Sequence, residues 1–333
     1  MEKYIRDLYS EAILVEARGR YGIAADKIRL LDSFESFMYE FERPDGGAFI
    51  LRIGHSRRRS IPLIKGEVAW INYLAAGGAG VARAVLSVND ELVEVVEDGR
   101  GGHFLATAFI KARGGPPTNE NWNEALFERY GRLIGRMHAL SKEYEPTDPA
   151  WRRPEWDDPI MLNLESWRLP PESAALEKFQ ALMAYLQSLP KEREGYGLVH
   201  QDAHGGNFFV DDEGNITLFD FDDCAYGWYI YDIAMVLFYA VANRPDANDF
   251  APLFLERFMR GYRQENWLEP AWLREIPAFM KLREIDLYAI ICRDFDVEHI
   301  EHRWTADFMR GRKEKIENDV PYLDMDFRSL RDA

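Results

Sequence analysis

The chain has 333 residues, enough for one large or two moderate domains with a sizeable core. Its 41 basic and 57 acidic residues leave a net charge of −16, which argues against a general nucleic-acid binder, because such a protein presents a basic face. No run approaches the ~18 apolar residues of a membrane helix. The start MEKYIRDLYSEAILVEARGRYG has no apolar signal core, and two cysteines, Cys224 and Cys292, make no disulfide framework. No nucleic-acid or membrane partner is therefore expected, and the cytoplasm is the expected location. An acidic cleft would concentrate a cationic substrate, but acidity for solubility is as common, and nothing in the chain sets an oligomeric state.

Residues 1–30 read as helical, with Ile5, Leu8, Ile13, Leu14 and Val15 at roughly helical spacing. The β-prone runs Phe37–Phe41 and Ala48–Ile53 flank Pro44-Asp45-Gly46-Gly47, a strong turn signal, and predict a hairpin whose second strand carries Arg52. A helix follows at about Ile64–Ala76, with Glu67 near its first turn, and stops at Gly77-Gly78. Strands are expected at Ala84–Val88, Glu91–Glu97 and His103–Phe109, with Gly99-Arg100-Gly101-Gly102 as a hairpin turn. From Asn123 the period becomes helical: Leu126, Tyr130, Leu133, Ile134 and Met137 mark a helix ending near Ser141. Pro146–Pro159 is the expected long loop. Helical patterns then cover about Glu172–Leu189, Ile233–Ala242, Phe250–Glu265, Pro270–Glu298 and Met309–Asp319. The fold class is α+β, a β-rich first third followed by a helical remainder, without an internal repeat.

The most informative stretch is Gly197–Ala234. It holds His200-x-Asp202-x-x-x-x-Asn207, then the β-prone runs Phe208–Val210 and Ile216–Phe219 around the turn Asp211–Asn215, then Asp220-Phe221-Asp222. A hairpin between two polar loops brings the ends of those loops together. Asp202, Asn207 and Asp220 then supply what phosphoryl transfer needs: one carboxylate for a hydroxyl proton, and an amide and a second carboxylate for metal ions on phosphates. The protein-kinase catalytic loop reads H-R-D-x-x-x-x-N and is followed by D-F-G. Here the offset of five is kept, Gln201 replaces Arg, and Asp222 replaces Gly.

This segment resembles the aminoglycoside phosphotransferase and choline kinase-like families, in which the loop is commonly H-G-D-x-x-x-x-N and the second motif I-D-F or I-D-W. Tyr231-Asp232-Ile233-Ala234 is similar to their downstream D-[IL]-A, where the Asp braces the catalytic loop. The resemblance implies a two-lobe protein kinase-like fold, with a small β-rich N-terminal nucleotide-binding lobe at 1–109 and a larger, mainly helical catalytic and substrate-binding lobe at 110–333. It implies transfer of the γ-phosphoryl group of ATP to a hydroxyl, with Asp202 catalytic, His200 orienting the loop, and Asn207 and Asp220 as magnesium ligands. Arg52 is the matching strand-borne cation for the α/β-phosphates and Glu67 its helix carboxylate. Ser36, in the stretch Asp32–Phe37, takes the place of the phosphate loop, which lacks G-x-G-x-x-G. Leu105–Ile110 matches the interlobe hinge, with backbone at Ala108 and Ile110 reading the adenine edge. The C-terminal helices, including Ile276-Pro277-x-Phe279-x-x-x-Arg283, wall the acceptor pocket.

The acids Glu284, Asp286, Asp294, Asp296 and Glu298 are candidates to meet an amine-bearing acceptor such as an aminoglycoside, choline or an amino alcohol, against the plainer reading of a solvated helix face. Other constellations are weaker. His299-Ile300-Glu301-His302 lacks H-E-x-x-H, and no G-x-S-x-G or G-x-x-x-x-G-K-[ST] occurs. Two alternatives stay open: a protein Ser/Thr kinase of the stress-response type, which the absence of A-P-E disfavours, and a non-catalytic nucleotide-binding protein, which the intact Asp202, Asn207 and Asp220 disfavour. ATP and GTP are not distinguished, nor is the role of Asp222 defined.

Overall fold

The computed structural model describes residues 3–33, 35–43, 46–162 and 173–327. Phe34, Pro44, Asp45 and Glu172, expected in the phosphate-loop stretch, the first hairpin turn and a helix start, lie outside the described residues. Contacts divide the chain into two units. The first comprises Met1–Gly115, Tyr144–Arg153 and Phe209–Asp222, and the second Pro116–Glu143, Pro154–Phe208 and Asp223–Ala333. The Phe209–Asp222 segment bonds to the first unit through its backbone: Gly115 exchanges hydrogen bonds with Val210, and the Leu218 amide donates to Gly80 O at 2.8 Å.

The first unit opens with helices α1 (Lys3–Leu8) and α2 (Glu11–Arg20). Gly22, at φ 64°, ends α2 by turning the chain into the left-handed region. Residues 28–32 therefore leave the helix expected over 1–30 and form a strand, β1 (Ile28–Asp32), on the edge of β2 (Phe37–Glu42). β3 (Ala48–His55) and helix α3 (Ile61–Ala76) come next, then β4 (Ala84–Val85), β5 (Glu94–Glu97) and β6 (His103–Ile110). The sheet is antiparallel, ordered β1-β2-β3-β6-β4, with β5 also paired to β6. Side chains alternate across it with a period of two. Phe37, Tyr39 and Phe41 of β2, Leu51 and Ile53 of β3, and Phe104, Ala106 and Ala108 of β6 form one core with Ile5, Ile13 and Ala17 of the opening helices. The intervening residues, Arg52 and Thr107 among them, face the other way, and they are direct cross-strand partners.

Further along the chain are α4 (Glu124–Ser141), α5 (Ala174–Gln187), β7 (Tyr196–Val199), the expected hairpin of β8 (Phe208–Val210) and β9 (Ile216–Leu218), β10 (Ala225–Trp228), α6 (Tyr229–Val241), α7 (Ala247–Tyr262), α8 (Ile276–Asp294), α9 (Arg303–Met309) and α10 (Arg312–Glu317). The Asn123 carboxamide caps α4 by accepting from the Ala125 and Leu126 amides. In the second unit α4 crosses α7 at bare backbone: a Cβ on Gly131 would lie 1.8 Å from Phe258 O, and one on Gly261 1.8 Å from Glu128 O. Eleven of the 13 residues of α6 are buried, so it is the central helix of this unit. The single helix expected over 270–298 is divided, because Pro277 enters at the start of α8 and leaves Pro270–Glu275 as a 3-10 turn. Gly311, at φ 63°, separates α9 from α10. β10 is a strand that sequence patterning missed; it pairs in register with β7, Ala225 opposite Val199.

Candidate active site

The loop His200–Asn207 leaves the end of β7 in the second unit. Its first residues are pinned by Asp232 in the first turn of α6: Oδ2 accepts from the His200 amide at 2.9 Å and Oδ1 from the Gln201 amide at 2.7 Å. This is the bracing that the resemblance implied for Asp232. Gln201 takes φ 67°, a region that strongly favours glycine, which gives a physical reason for glycine at this place in the H-G-D form of the loop. His200 is fully buried, and its Nδ1 accepts from the Asp202 amide at 3.3 Å, so it orients the loop backbone.

Asp232 is itself anchored from behind. His138 of α4 donates from Nε2 to Asp232 Oδ2 at 3.0 Å, and its Nδ1 accepts from the Tyr262 hydroxyl at 2.9 Å. That hydroxyl accepts from Asn266 Nδ2 at 2.7 Å. This order of donors satisfies every atom with a neutral imidazole. Burial pushes the His138 pKa down, against the pull of Asp232. Burial would raise Asp232, but His138, His200 and the loop amide together hold it below the ordinary carboxylate range.

Asp202 is clasped on both oxygens. Oδ1 accepts from Arg283 Nη2 at 2.7 Å, and Oδ2 accepts from Asn207 Nδ2 at 3.0 Å with His204 Nε2 at 3.4 Å. Burial acts to raise this carboxyl, yet Arg283 and the two histidines outweigh it and keep it below its usual value. Asn207 Nδ2 also donates to Asp202 O at 2.9 Å. With its nitrogen turned to Asp202, the Asn207 amide oxygen is the atom left for a cation. Arg283 is in turn held by the Tyr239 hydroxyl at 2.6 Å and by Asp286 at 3.1 Å. Burial pushes the Asp286 carboxyl above its ordinary range despite Arg283. Sequence reasoning placed Arg283 on the acceptor wall and gave it no partner; the two hydrogen bonds that link Tyr239 through Arg283 to Asp202 join residues too far apart in the chain to be visible in one dimension.

The first unit carries the phosphate-facing candidates. Arg52 on β3 meets Glu67 on α3 through both arms of its fork, Nη1–Oε1 at 2.7 Å and Nη2–Oε2 at 2.8 Å, and its Nε donates to Thr107 at 3.3 Å. Both residues of the pair are buried. Ser36 and Arg52 line a small cavity of about 10 Å3 with Arg58, Arg59 and Asp222. Arg58 pairs with both Asp222 and Glu35, and Arg59 Nε lies 3.3 Å from Asp222. Asp222 is thus an arginine-paired buried carboxylate, held below its usual range by Arg58, Arg59, Arg52 and Arg153 against the effect of burial. The Arg57-Arg58-Arg59 run is legible in the sequence, but its partner Asp222, far along the chain, is not. Asp220, two residues past β9, adopts φ 64°.

Ala108 lies inside the ladder, opposite Leu51 and Val85, and the Ile110 amide already donates to Arg83 O at 2.9 Å. The Lys111 amide donates to Ala48 O at 3.1 Å, and at Ala112, two residues past β6, no hydrogen bond is made to the amide or carbonyl among the described residues. The acids proposed for a cationic acceptor are mostly engaged elsewhere: Glu284 with Arg312 and Lys281, Asp294 with Arg293, Asp296 with His299. Among the described residues no group of three or more His, Cys, Asp or Glu side chains converges as a metal site, and no helix is long and apolar enough to cross a membrane.

A kinase-like α+β fold with this braced Asp-x-x-x-x-Asn loop defines a phosphotransferase. The chain belongs to the phosphotransferase enzyme family (APH), whose profile matches residues 27–275. It is 40% identical over 326 residues to amicoumacin kinase of Bacillus subtilis (strain 168), covering 97% of this chain and 96% of that one. A solved complex of amicoumacin kinase hAmiN with AMP-PNP, Ca2+ and Ami superposes with a TM-score of 0.93 at 36% identity, covering 99% of this chain and 100% of that one. A microcompartment-associated aminopropanol kinase shares the fold at 23% identity with a TM-score of 0.73, covering 93% and 97% of the two chains. The expected kinase-like fold and the class of enzyme, a small-molecule phosphotransferase, hold. An ATP analogue with a divalent cation in the 36%-identical neighbour agrees with ATP and magnesium as the donor pair.

Proposed function

We propose that this phosphotransferase moves the γ-phosphoryl group of ATP to a hydroxyl of amicoumacin or of a small molecule closely like it. The observation that carries the acceptor is the 40% identity to amicoumacin kinase along 97% of the chain. The donor set suits magnesium, since the Asn207 amide oxygen and the Asp220 carboxylate are hard oxygens and magnesium takes one or two such groups together with phosphates. When bound, the metal neutralises charge on the β- and γ-phosphates.

The residues then divide the work. Asp202 accepts a hydrogen bond from the acceptor hydroxyl and takes its proton late, because the transition state is loose and positioning matters more than basicity. Arg283 and Asn207 keep the Asp202 carboxylate ionised and aimed. Arg52, fixed by Glu67 and Thr107, offers its remaining N–H groups to phosphate oxygens, with the Ser36 segment beside it. Adenine recognition falls to backbone around Ile110–Ala112, where Ala112 has the unused groups. Asp286, next to Arg283, is the acid best placed for an amine on the acceptor.

Magnesium-dependent ADP release with amicoumacin, and with aminopropanol, choline and aminoglycosides as comparators, tests this reading. Stimulation by amicoumacin is expected, with kcat reduced about 10²–10⁴-fold in Asp202→Ala, the usual span for a positioned base. Stimulation only by another acceptor would reassign the substrate, and nucleotide turnover unchanged in Asp202→Ala would remove the residue assignment.

A further inference from the structure

An open groove of about 530 Å3 lies in the second unit, between the C-terminal end of α6 and the α9–α10 segment. Its lining includes five cations, Arg244, Arg303, Arg310, Arg312 and Lys315, against one carboxylate, Asp307. In a chain of net charge −16 this is a local reversal of sign. None of the catalytic residues described above lines it.

Internal pairing cancels only part of this charge. Asp307 is shared between Arg310 at 2.7 Å and Arg303 at 3.8 Å, whose side chains are 79% and 95% exposed. Such exposed pairs hold their partners weakly. Lys315 has no ion-pair partner among the described residues. Arg244 reaches Asp246 at 2.7 Å, yet its buried Nε has no hydrogen-bond partner among the described residues. The floor is built differently from the rim. Arg312 is 8% exposed, with Nη1 on Glu284 at 2.6 Å and Nε on Phe308 O at 2.9 Å. Its guanidinium also lies over the Phe308 and Tyr322 rings at 4.3 and 5.2 Å. A fork fixed on these sides is ordered before any ligand arrives, which lowers the entropy lost on binding.

We propose that this groove is a binding site for a small phosphate-bearing anion, with Arg312 as its floor and Arg310, Arg303 and Lys315 closing over the phosphate. Arginine forks match phosphate oxygens in pairs, and lysine adds a mobile point charge. The volume falls in the range of small-molecule sites. A bounded groove of this size suits a compact ligand better than a polymer, which needs a continuous basic stripe.

The test is calorimetric titration of inorganic phosphate into the full chain saturated with AMP-PNP and magnesium, at ionic strength held constant with chloride. One saturable site is expected. Binding should weaken roughly tenfold or more in the double variant Arg310→Glu/Lys315→Glu, a change equivalent to about 1.4 kcal/mol. Both positions are exposed, so the melting temperature is expected to stay unchanged; if the double variant melts early, Arg303→Glu alone carries the same expectation. Charge reversal at the remote exposed Arg6, Arg6→Glu, should leave binding intact. Repeating the titration without nucleotide separates the two sites, because phosphate held where nucleotide belongs would survive the double variant. Absence of saturation in the wild-type chain, or equal affinity in the double variant, would overturn the proposal.

Discussion

At the residue scale, two positions show how backbone and charge set the site. Gln201 occupies a left-handed conformation, and its amide is held by Asp232. Gln201→Gly is expected to leave stability within about 1 kcal/mol, since relief of strain and the added freedom of the unfolded chain oppose each other. Gln201→Val, which places a β-branched side chain at positive φ, should cost about 1–2 kcal/mol. Chemical denaturation of the two variants decides it; equal losses would mean that the side chain and not the backbone matters here. The Arg52–Glu67 pair makes a sharper case. Arg52→Met leaves a buried carboxylate without its partner and is expected to cost about 3–5 kcal/mol, whereas Arg52→Met/Glu67→Met should recover much of that stability without restoring turnover. A double variant as unstable as the single one would contradict the charge argument.

At the element scale, the second unit depends on the crossing of α4 and α7. Gly261 and Gly131 bring the two backbones together, with no space for a methyl group. Gly261→Ala is expected to force the helices apart and cost about 1–3 kcal/mol, the usual range for overpacking, despite alanine's better helix propensity. The consequence reaches the site, because His138 sits on α4 and Tyr262 on α7, and both belong to the chain of hydrogen bonds that ends on Asp232. A lowered melting temperature accompanied by lower kcat is therefore expected, and a stabilised Gly261→Ala would show that the crossing is looser than described. Element types were largely readable: the α4 periodicity, the β8–β9 hairpin and the turn residues stood out locally. β1 and β10 did not: β1 follows directly on the opening helical run and pairs with the nearby β2, whereas β10 is a strand only because β7, distant in sequence, offers ladder groups.

For the molecule as a whole, buried ionisable groups set the dependence on acidity. His138 is kept neutral by burial, so its pKa lies below the unfolded value of about 6.5. The unfolded chain then binds more protons than the folded one, and stability rises with pH. The contribution is complete above about pH 6.5 and is lost as pH falls through the lowered folded value. The lowered carboxyls of Asp202 and Asp232 add a second loss, beginning below about pH 4. Melting temperatures should be level from pH 8 to 7 and decline in two stages on acidification. His138→Gln should remove the upper stage, and an unchanged profile in that variant would assign the slope to other groups.

The sequence by itself determined the candidate constellation: Asp202, Asn207 and Asp220 occur in an order and at a spacing that local folding converts into loop, hairpin and loop. It also determined the α+β class, since periods of two and of 3.6 are written into each segment. Tertiary structure alone decided which charges face which. Arg283 against Asp202, Arg58 and Arg59 against Asp222, His138 behind Asp232, and the engagement of the Ile110 amide all join positions far apart in the chain. Such pairings depend on which buried groups are left without water and must find a partner, and that is settled only when the core closes.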